Sequence, residues 1–195
     1  MNKQLQHRNV FDKEETRENW EVKTLCVLLL DTSSSMSGKK MDDLNKGLQE
    51  FYQDILDDDA LSQRLELAVI SFESSVRYLQ QPALVESFTM PTLTAMGGTD
   101  MVGGIQKAIE VVEDRKRYYK DHGIAYKRPW IIMITDGYES NAAFIKDQIL
   151  KSQEVKRYYF LPVAIDENDS DLSMLDSMST YRGLLKIDKT LIVKQ

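Results

Sequence analysis

The chain has 195 residues, a formal charge of -6, and 42% hydrophobic against 29% charged residues. That length suits one domain with a substantial core, and the composition is that of a globular chain rather than a disordered or fibrous one. The longest apolar runs are five or six residues, far short of the roughly 20 a membrane span needs, and the acidic balance argues against nucleic acid, whose binders show a basic face.

Residues 1–23 are polar, with charges throughout and no apolar h-region, so they read as a leader and not as a signal peptide. Trp20 and Val22 are its expected anchors, and the folded domain is expected over 24–195. The run Leu25-Cys26-Val27-Leu28-Leu29-Leu30 is continuous rather than alternating, which predicts a strand buried on both faces over 24–30. Cys26 is the single cysteine, so no intrachain disulfide can form; it reads as a reduced core thiol, consistent with a cytoplasmic setting. Met41, Leu44, Leu48, Phe51 and Ile55 recur at spacings of three and four and predict an amphipathic helix. Asp57-Asp58-Asp59 reads as a solvated turn. Leu67 to Phe72 is a second strand, and Glu73-Ser74 is a hairpin turn into a short third strand, Val76 to Leu79. Residues 80–98 read as irregular, broken by Pro82, Pro91 and the Gly97-Gly98 pair.

Val102, Ile105, Ile109 and Val112 share one face of a long helix that runs through Glu113 to Lys120 and stops near Gly123. Its basic run Arg115-Lys116-Arg117 is expected on the exposed face, with Tyr118 and Tyr119 against the sheet. A strand over 130–135, a helix around Ala142, Ile145 and Ile149, a strand from Tyr159 to Ile165, a short helix from Leu172 to Met178 and a last strand from Leu184 to Ile187 complete the pattern. This alternation predicts an α/β fold: a doubly wound, mostly parallel central sheet with one antiparallel edge strand and helices on both faces, Rossmann-like. Ligands of such sheets sit outside the carboxyl ends of the strands.

Asp31-Thr32-Ser33-Ser34-Ser35 stands at one such end. It offers a carboxylate and two hydroxyls at alternate positions, an oxygen-rich mouth suited to a hard divalent cation such as Mg²⁺. Asp136-Gly137 follows another buried run, Trp130 to Ile134, and Gly97-Gly98-Thr99-Asp100 opens the long helix. The three segments are predicted to meet at one sheet edge. Taken singly they are ordinary capping and turn elements, with Thr99 as an N-cap and Asp100 in the first helical turn.

The order Asp-x-Ser-x-Ser, then Thr, then Asp resembles the metal-ion-dependent adhesion site of von Willebrand factor A domains. The wording from Asp31 through Met36-Ser37-Gly38, at Gly97-Gly98-Thr99, and from Arg128-Pro129-Trp130 into Thr135-Asp136-Gly137 looks like the bacterial tellurite-resistance-associated subfamily, over about residues 24–187. The resemblance implies that Ser33, Ser35 and Thr99 bind Mg²⁺ or Mn²⁺ directly and that Asp31 and Asp136 act through bound water. It also implies a non-enzymatic adaptor whose metal takes an Asp or Glu of a partner protein, and it makes kinase-like or phosphatase-like partners and a stress-response role plausible. Met36, Gly98 and Tyr138 are the expected rim for that partner. Family members carry a further amphipathic helix after the last strand. Here Leu191-Ile192-Val193-Lys194-Gln195 is too short for one, and its apolar residues are expected to dock on a partner or another copy.

Other chemistry fares worse. A phosphotransferase of the haloacid dehalogenase type would use Asp31 as nucleophile, but Ser33 stands where its second carboxylate is needed. No phosphate-binding loop or nucleophile elbow occurs, and His7 and His122 read as solvated. Asp166 to Asp171 lacks the glycine of a calcium loop and reads as a solvated acidic loop at the site edge.

Overall fold

The computed structural model describes residues 21–137, 143–165, 172–180 and 185–186. Six strands form one sheet in the order β3-β2-β1-β4-β5-β6. They are β1 (Thr24–Asp31), β2 (Leu65–Phe72), β3 (Val76–Leu84), β4 (Trp130–Thr135), β5 (Tyr159–Ala164) and β6 (Leu185–Lys186). All neighbouring pairs are parallel except β2 with β3, which makes β3 the antiparallel edge. The helices are α1 (Lys39–Leu56), α2 (Asp59–Ser62), α3 (Met101–Asp121), α4 (Ala143–Glu154) and α5 (Leu172–Met178). The expected doubly wound fold is therefore the observed one.

Alternate residues of the central strands supply two cores. Leu25, Val27, Leu29, Ala68, Ile70 and Phe72 face α3, whose Ile105, Ala108 and Val112 are fully buried; Ile145 and Ile149 of α4 join the same cluster. Cys26, Leu28, Leu30, Leu67 and Val69 face Met41, Leu44, Leu48 and Ile55 of α1. Each fully buried aliphatic side chain contributes about 1.5–3 kcal/mol, and both faces of β1 do so, which is why its run is unbroken. Beyond α1 the second face is less completely covered: Trp130, Ile132, Ile134 and Ile165 are only partly buried. There an apolar cavity of about 550 Å³ lies between Leu44, Leu48 and Phe51 of α1 and Leu28, Ile132 and Ile134 of the sheet.

Several local expectations are corrected. The third strand continues through Pro82 to Leu84, because the buried Pro82 lies on the edge strand where the register shifts between the Ala83 and Gln80 pairings, a position that asks no ladder bond of it. Asp58 is the N-cap of α2, its carboxylate accepting from the Ala60 and Leu61 amides, so the aspartate run starts a helix instead of a bare turn. Val22 is exposed and anchors nothing; Lys23 is the buried residue there, its ammonium donating to the Gln63 carbonyl at 2.9 Å.

Arg115 is not on an exposed face. It is 3% exposed and grips Glu66 of β2, itself 1% exposed, with Nε and Nη2 both at 2.7 Å. Tyr119 is fully buried and donates its hydroxyl to the same carboxylate, and burial raises its pKa well above the ordinary phenol range. Tyr118 lies beneath the Arg115 guanidinium, 4.3 Å from its ring centroid. The leader to residue 20, Tyr138, the acidic loop 166–171 and the apolar tail lie outside the described residues.

Candidate metal centre

Adjacent parallel strands bring the site together. Leu30 of β1 is opposite Ile134 of β4, so Asp31 and Thr135-Asp136 emerge side by side at the same sheet edge. Asp31 is 2% exposed. Its Oδ1 accepts the Ser33 amide at 2.8 Å and its Oδ2 accepts the Thr135 hydroxyl at 2.6 Å. Burial raises the Asp31 pKa; the bonds from Ser33 and Thr135 pull it down, and the charge of Asp136 raises it further.

After Asp31 the chain alternates direction. Thr32 turns toward β2 and donates its hydroxyl to the Phe72 carbonyl at 3.2 Å, which leaves Ser33 and Ser35 on the site side. Their hydroxyl oxygens are 3.0 Å apart, and Ser35 Oγ donates to Asp136 Oδ1 at 2.9 Å. Ser33 and Asp136 are buried, while Ser35 is exposed at the mouth. Lys40, on the first turn of α1, places its ammonium 2.7 Å from the other Asp136 oxygen.

This donor set suits a hard cation. An octahedral ion with metal–oxygen distances near 2.1 Å sets neighbouring ligands about 3 Å apart. The Ser33 and Ser35 hydroxyl oxygens, hydrogen-bonded to one another at 3.0 Å, are close enough to ligate one ion side by side. Among the described residues no group of three or more His, Cys, Asp or Glu converges, so the set is two carboxylates with neutral hydroxyls, unsuited to soft metals.

Thr99 sits on an exposed loop fastened to the same edge. The Gly97 carbonyl accepts the Ser34 amide at 3.1 Å and the Ser34 hydroxyl at 2.7 Å; the Met96 amide donates to the Thr32 carbonyl at 2.8 Å. The Gly98 amide donates to Ser74 Oγ at 2.7 Å. Gly97 has φ +70°, and a Cβ there would collide with the Glu73 carboxylate and the Ser74 hydroxyl. Among the described residues no hydrogen bond joins Thr99 to Asp31, Ser33, Ser35 or Asp136. The N-cap of α3 is Asp100, whose carboxylate accepts the Gly103 amide at 2.9 Å, and not Thr99 as the sequence suggested.

Of the expected rim, Gly98 is exposed, Tyr138 is outside the described residues, and Met36 is corrected: it is fully buried against the α1 core. The 3-10 turn Ser34–Met36 folds it inward, so an apolar residue following the site residues completes the core. Sequence reasoning missed Thr135 and Lys40. Thr135 ends the apolar β4 run beside Asp136, a polar residue where a buried strand stops, and that was the available signal; Lys40 had none beyond its place in the first turn of α1.

Residues 26–139 match the von Willebrand factor type A domain family, and the chain belongs to it. Domains of this family generally mediate protein–protein interaction. No curated protein matches the chain by sequence. Among solved structures, it is similar to proximal thread matrix protein 1 from the mussel byssus, at 15% identity and a TM-score of 0.61, over 86% of this chain and 44% of that one. The PilB minor pilin of Streptococcus sanguinis, as a point mutant, is similar at 12% identity and TM-score 0.58, over 85% and 57%. The ArnB paralog VWA2 from Sulfolobus acidocaldarius follows at 14% and 0.56, over 86% and 42%. These likenesses show the fold, and the chain spans less than three fifths of each of those proteins. Among the described residues no helix is long and apolar enough to cross a membrane.

Proposed function

We propose that this domain holds Mg²⁺ or Mn²⁺ at Asp31, Ser33, Ser35, Thr99 and Asp136 and uses it to capture an Asp or Glu of a partner protein. The observation that carries the reading is the convergence at one sheet edge of the Ser33 and Ser35 hydroxyls, 3.0 Å apart, with the Asp31 and Asp136 carboxylates, which act through bound water. Hydroxyl ligands are neutral and leave much of a bound cation's charge uncancelled, which favours one more anionic oxygen from outside. Ser35 and Thr99 are exposed, so a partner's carboxylate has access.

A non-enzymatic adaptor fits the surroundings of Asp31. Both its oxygens already accept hydrogen bonds, and Ser33 occupies the position of the acid–base carboxylate a phosphotransferase would need. A cytoplasmic setting rests on the lone buried thiol of Cys26. A role beside kinase-like or phosphatase-like proteins in a bacterial stress or tellurite-resistance module rests on the motif resemblance alone.

The test is capture of acidic peptides by the immobilised chain in Mg²⁺ and in EDTA. Capture that needs the metal and vanishes in Ser33→Ala supports the reading. Capture that survives EDTA would mean a scaffold working without metal, and phosphate-ester turnover lost in Asp31→Ala would mean an enzyme.

A further inference from the structure

The oxygen cluster contains a cation of the chain's own. Lys39 and Lys40 are neighbours on the first turn of α1 but do different things. Lys39 pairs with Asp43 one helical turn on, at 2.8 Å, and is 74% exposed, an ordinary surface pair. Lys40 turns inward, is 32% exposed, and holds Asp136 Oδ2 at 2.7 Å, while Asp136 Oδ1 accepts from Ser35.

We propose that Lys40 is a tethered competitor of the divalent cation, a built-in counter-charge that lowers the site's metal affinity. The inference rests on the metal reading above. Its argument is electrostatic. Asp31 and Asp136 are 2% and 7% exposed and belong to one hydrogen-bonded cluster, so their negative charges need compensation whenever no metal is held. The Lys40 ammonium supplies one positive charge. A divalent ion supplies two at the same carboxylate, and the two cations repel at that range. Loading therefore costs either the Lys40–Asp136 pair or the repulsion of keeping it. A lysine suits this role better than an arginine fork, because its flexible stem can carry a compact, well-hydrated ammonium out to water. By linkage, whatever the metal takes from the pair, the pair takes from metal affinity.

The experiment is calorimetric titration of Mg²⁺ and Mn²⁺ into the metal-free chain, the Lys40→Met variant and the Lys40→Arg variant, with thermal melts in EDTA and in excess Mg²⁺. Lys40→Met is expected to bind Mg²⁺ about tenfold more tightly, within the usual span of coupling between two sites. It is also expected to melt lower than wild type in EDTA, where Asp136 has lost its counter-charge, and to regain the difference in Mg²⁺. Lys40→Arg, which keeps the charge, is expected to stay within about twofold of wild type. If Lys40→Met binds no more tightly than a wild type that does bind, the competitor role is overturned and the metal site stands. If neither binds, the metal reading falls and takes this inference with it.

Discussion

Arg115 of α3 and Glu66 of β2 form a two-bonded ion pair in the dry interior, 2.7 Å at each contact, although 49 residues separate them. Such a pair is weak evidence for net stability, because desolvation of two charges offsets much of their attraction. Its effect is positional. The guanidinium fork fixes the rotation and height of α3 on the sheet, and the N-terminus of α3 follows directly on Thr99. The Thr99 loop thus hangs from a helix pinned by a buried charge pair.

Breaking that pair from one side leaves a buried charge. Arg115→Met alone is expected to cost about 3–5 kcal/mol in urea unfolding, whereas Arg115→Met with Glu66→Leu recovers only part of the loss, because the buried Tyr119 hydroxyl then lacks its acceptor. A single variant within about 1 kcal/mol of wild type would show that water reaches Glu66.

The glycine pair before Thr99 is unequal. Gly97→Ala meets both a positive φ and the Glu73 and Ser74 oxygens, so it is expected to lower stability by about 1–2 kcal/mol and to weaken Mg²⁺ binding by displacing the loop. Gly98→Ala meets only Ser74 Oγ, at 3.4 Å, and is expected to stay near wild type. Equal melting temperatures for the two variants would contradict this account.

Asp31 places charge where stability would prefer none. Its folded pKa is raised above the ordinary carboxylate value, chiefly by burial. A raised acid favours the folded state in its protonated form, so this contribution is present at low pH and is lost as pH rises through the folded pKa. In EDTA at neutral pH, Asp31→Asn is therefore expected to melt higher than wild type, with the difference shrinking as pH falls toward the ordinary Asp range. Excess Mg²⁺ is expected to stabilise wild type alone. A variant that melts lower at every pH would mean that the Ser33 and Thr135 bonds outweigh burial.

Much of the architecture was legible because period and burial agree. The unbroken run of β1 and the three-and-four spacing of α1 each follow from the face they bury; β1 carries Asp31 to the edge, and Ser33 and Ser35 lie in the connection between the two. Two of the failures, Arg115 and Lys40, have one physical cause, partners distant in sequence. Arg115 read as surface because a helix period cannot show that Glu66 waits on a strand 49 residues earlier; the informative sign was Glu66 itself, a charge inside a strand buried on both faces. Met36 read as rim because nothing local shows the turn that folds it inward. Lys40 was invisible as a site residue because its partner, Asp136, is 96 residues away.

Burial pushes the Cys26 thiol up to about 12, and the residue is 4% exposed between β2 and β4. The thiol is expected to resist alkylation in the native chain at pH 8 and to react at once in denaturant. Its share of stability is complete below the ordinary thiol value of 9.0 and is lost as pH rises toward 12, so alkaline unfolding should be eased by Cys26 and delayed in Cys26→Ala only after allowing for the smaller side chain. Rapid native labelling would mean that β1 opens locally.

The central claim is that the Asp31 edge holds a divalent cation. Calorimetric titration of the metal-free chain with Mg²⁺ and Mn²⁺, beside Asp31→Ala, Ser33→Ala and Thr99→Ala, tests it most directly. The account predicts saturable binding of one ion, abolished in Asp31→Ala and weakened at least several-fold in Ser33→Ala and Thr99→Ala. Binding that is indifferent to all three substitutions, or no binding by the wild type even with an acidic peptide present to complete the site, would contradict it.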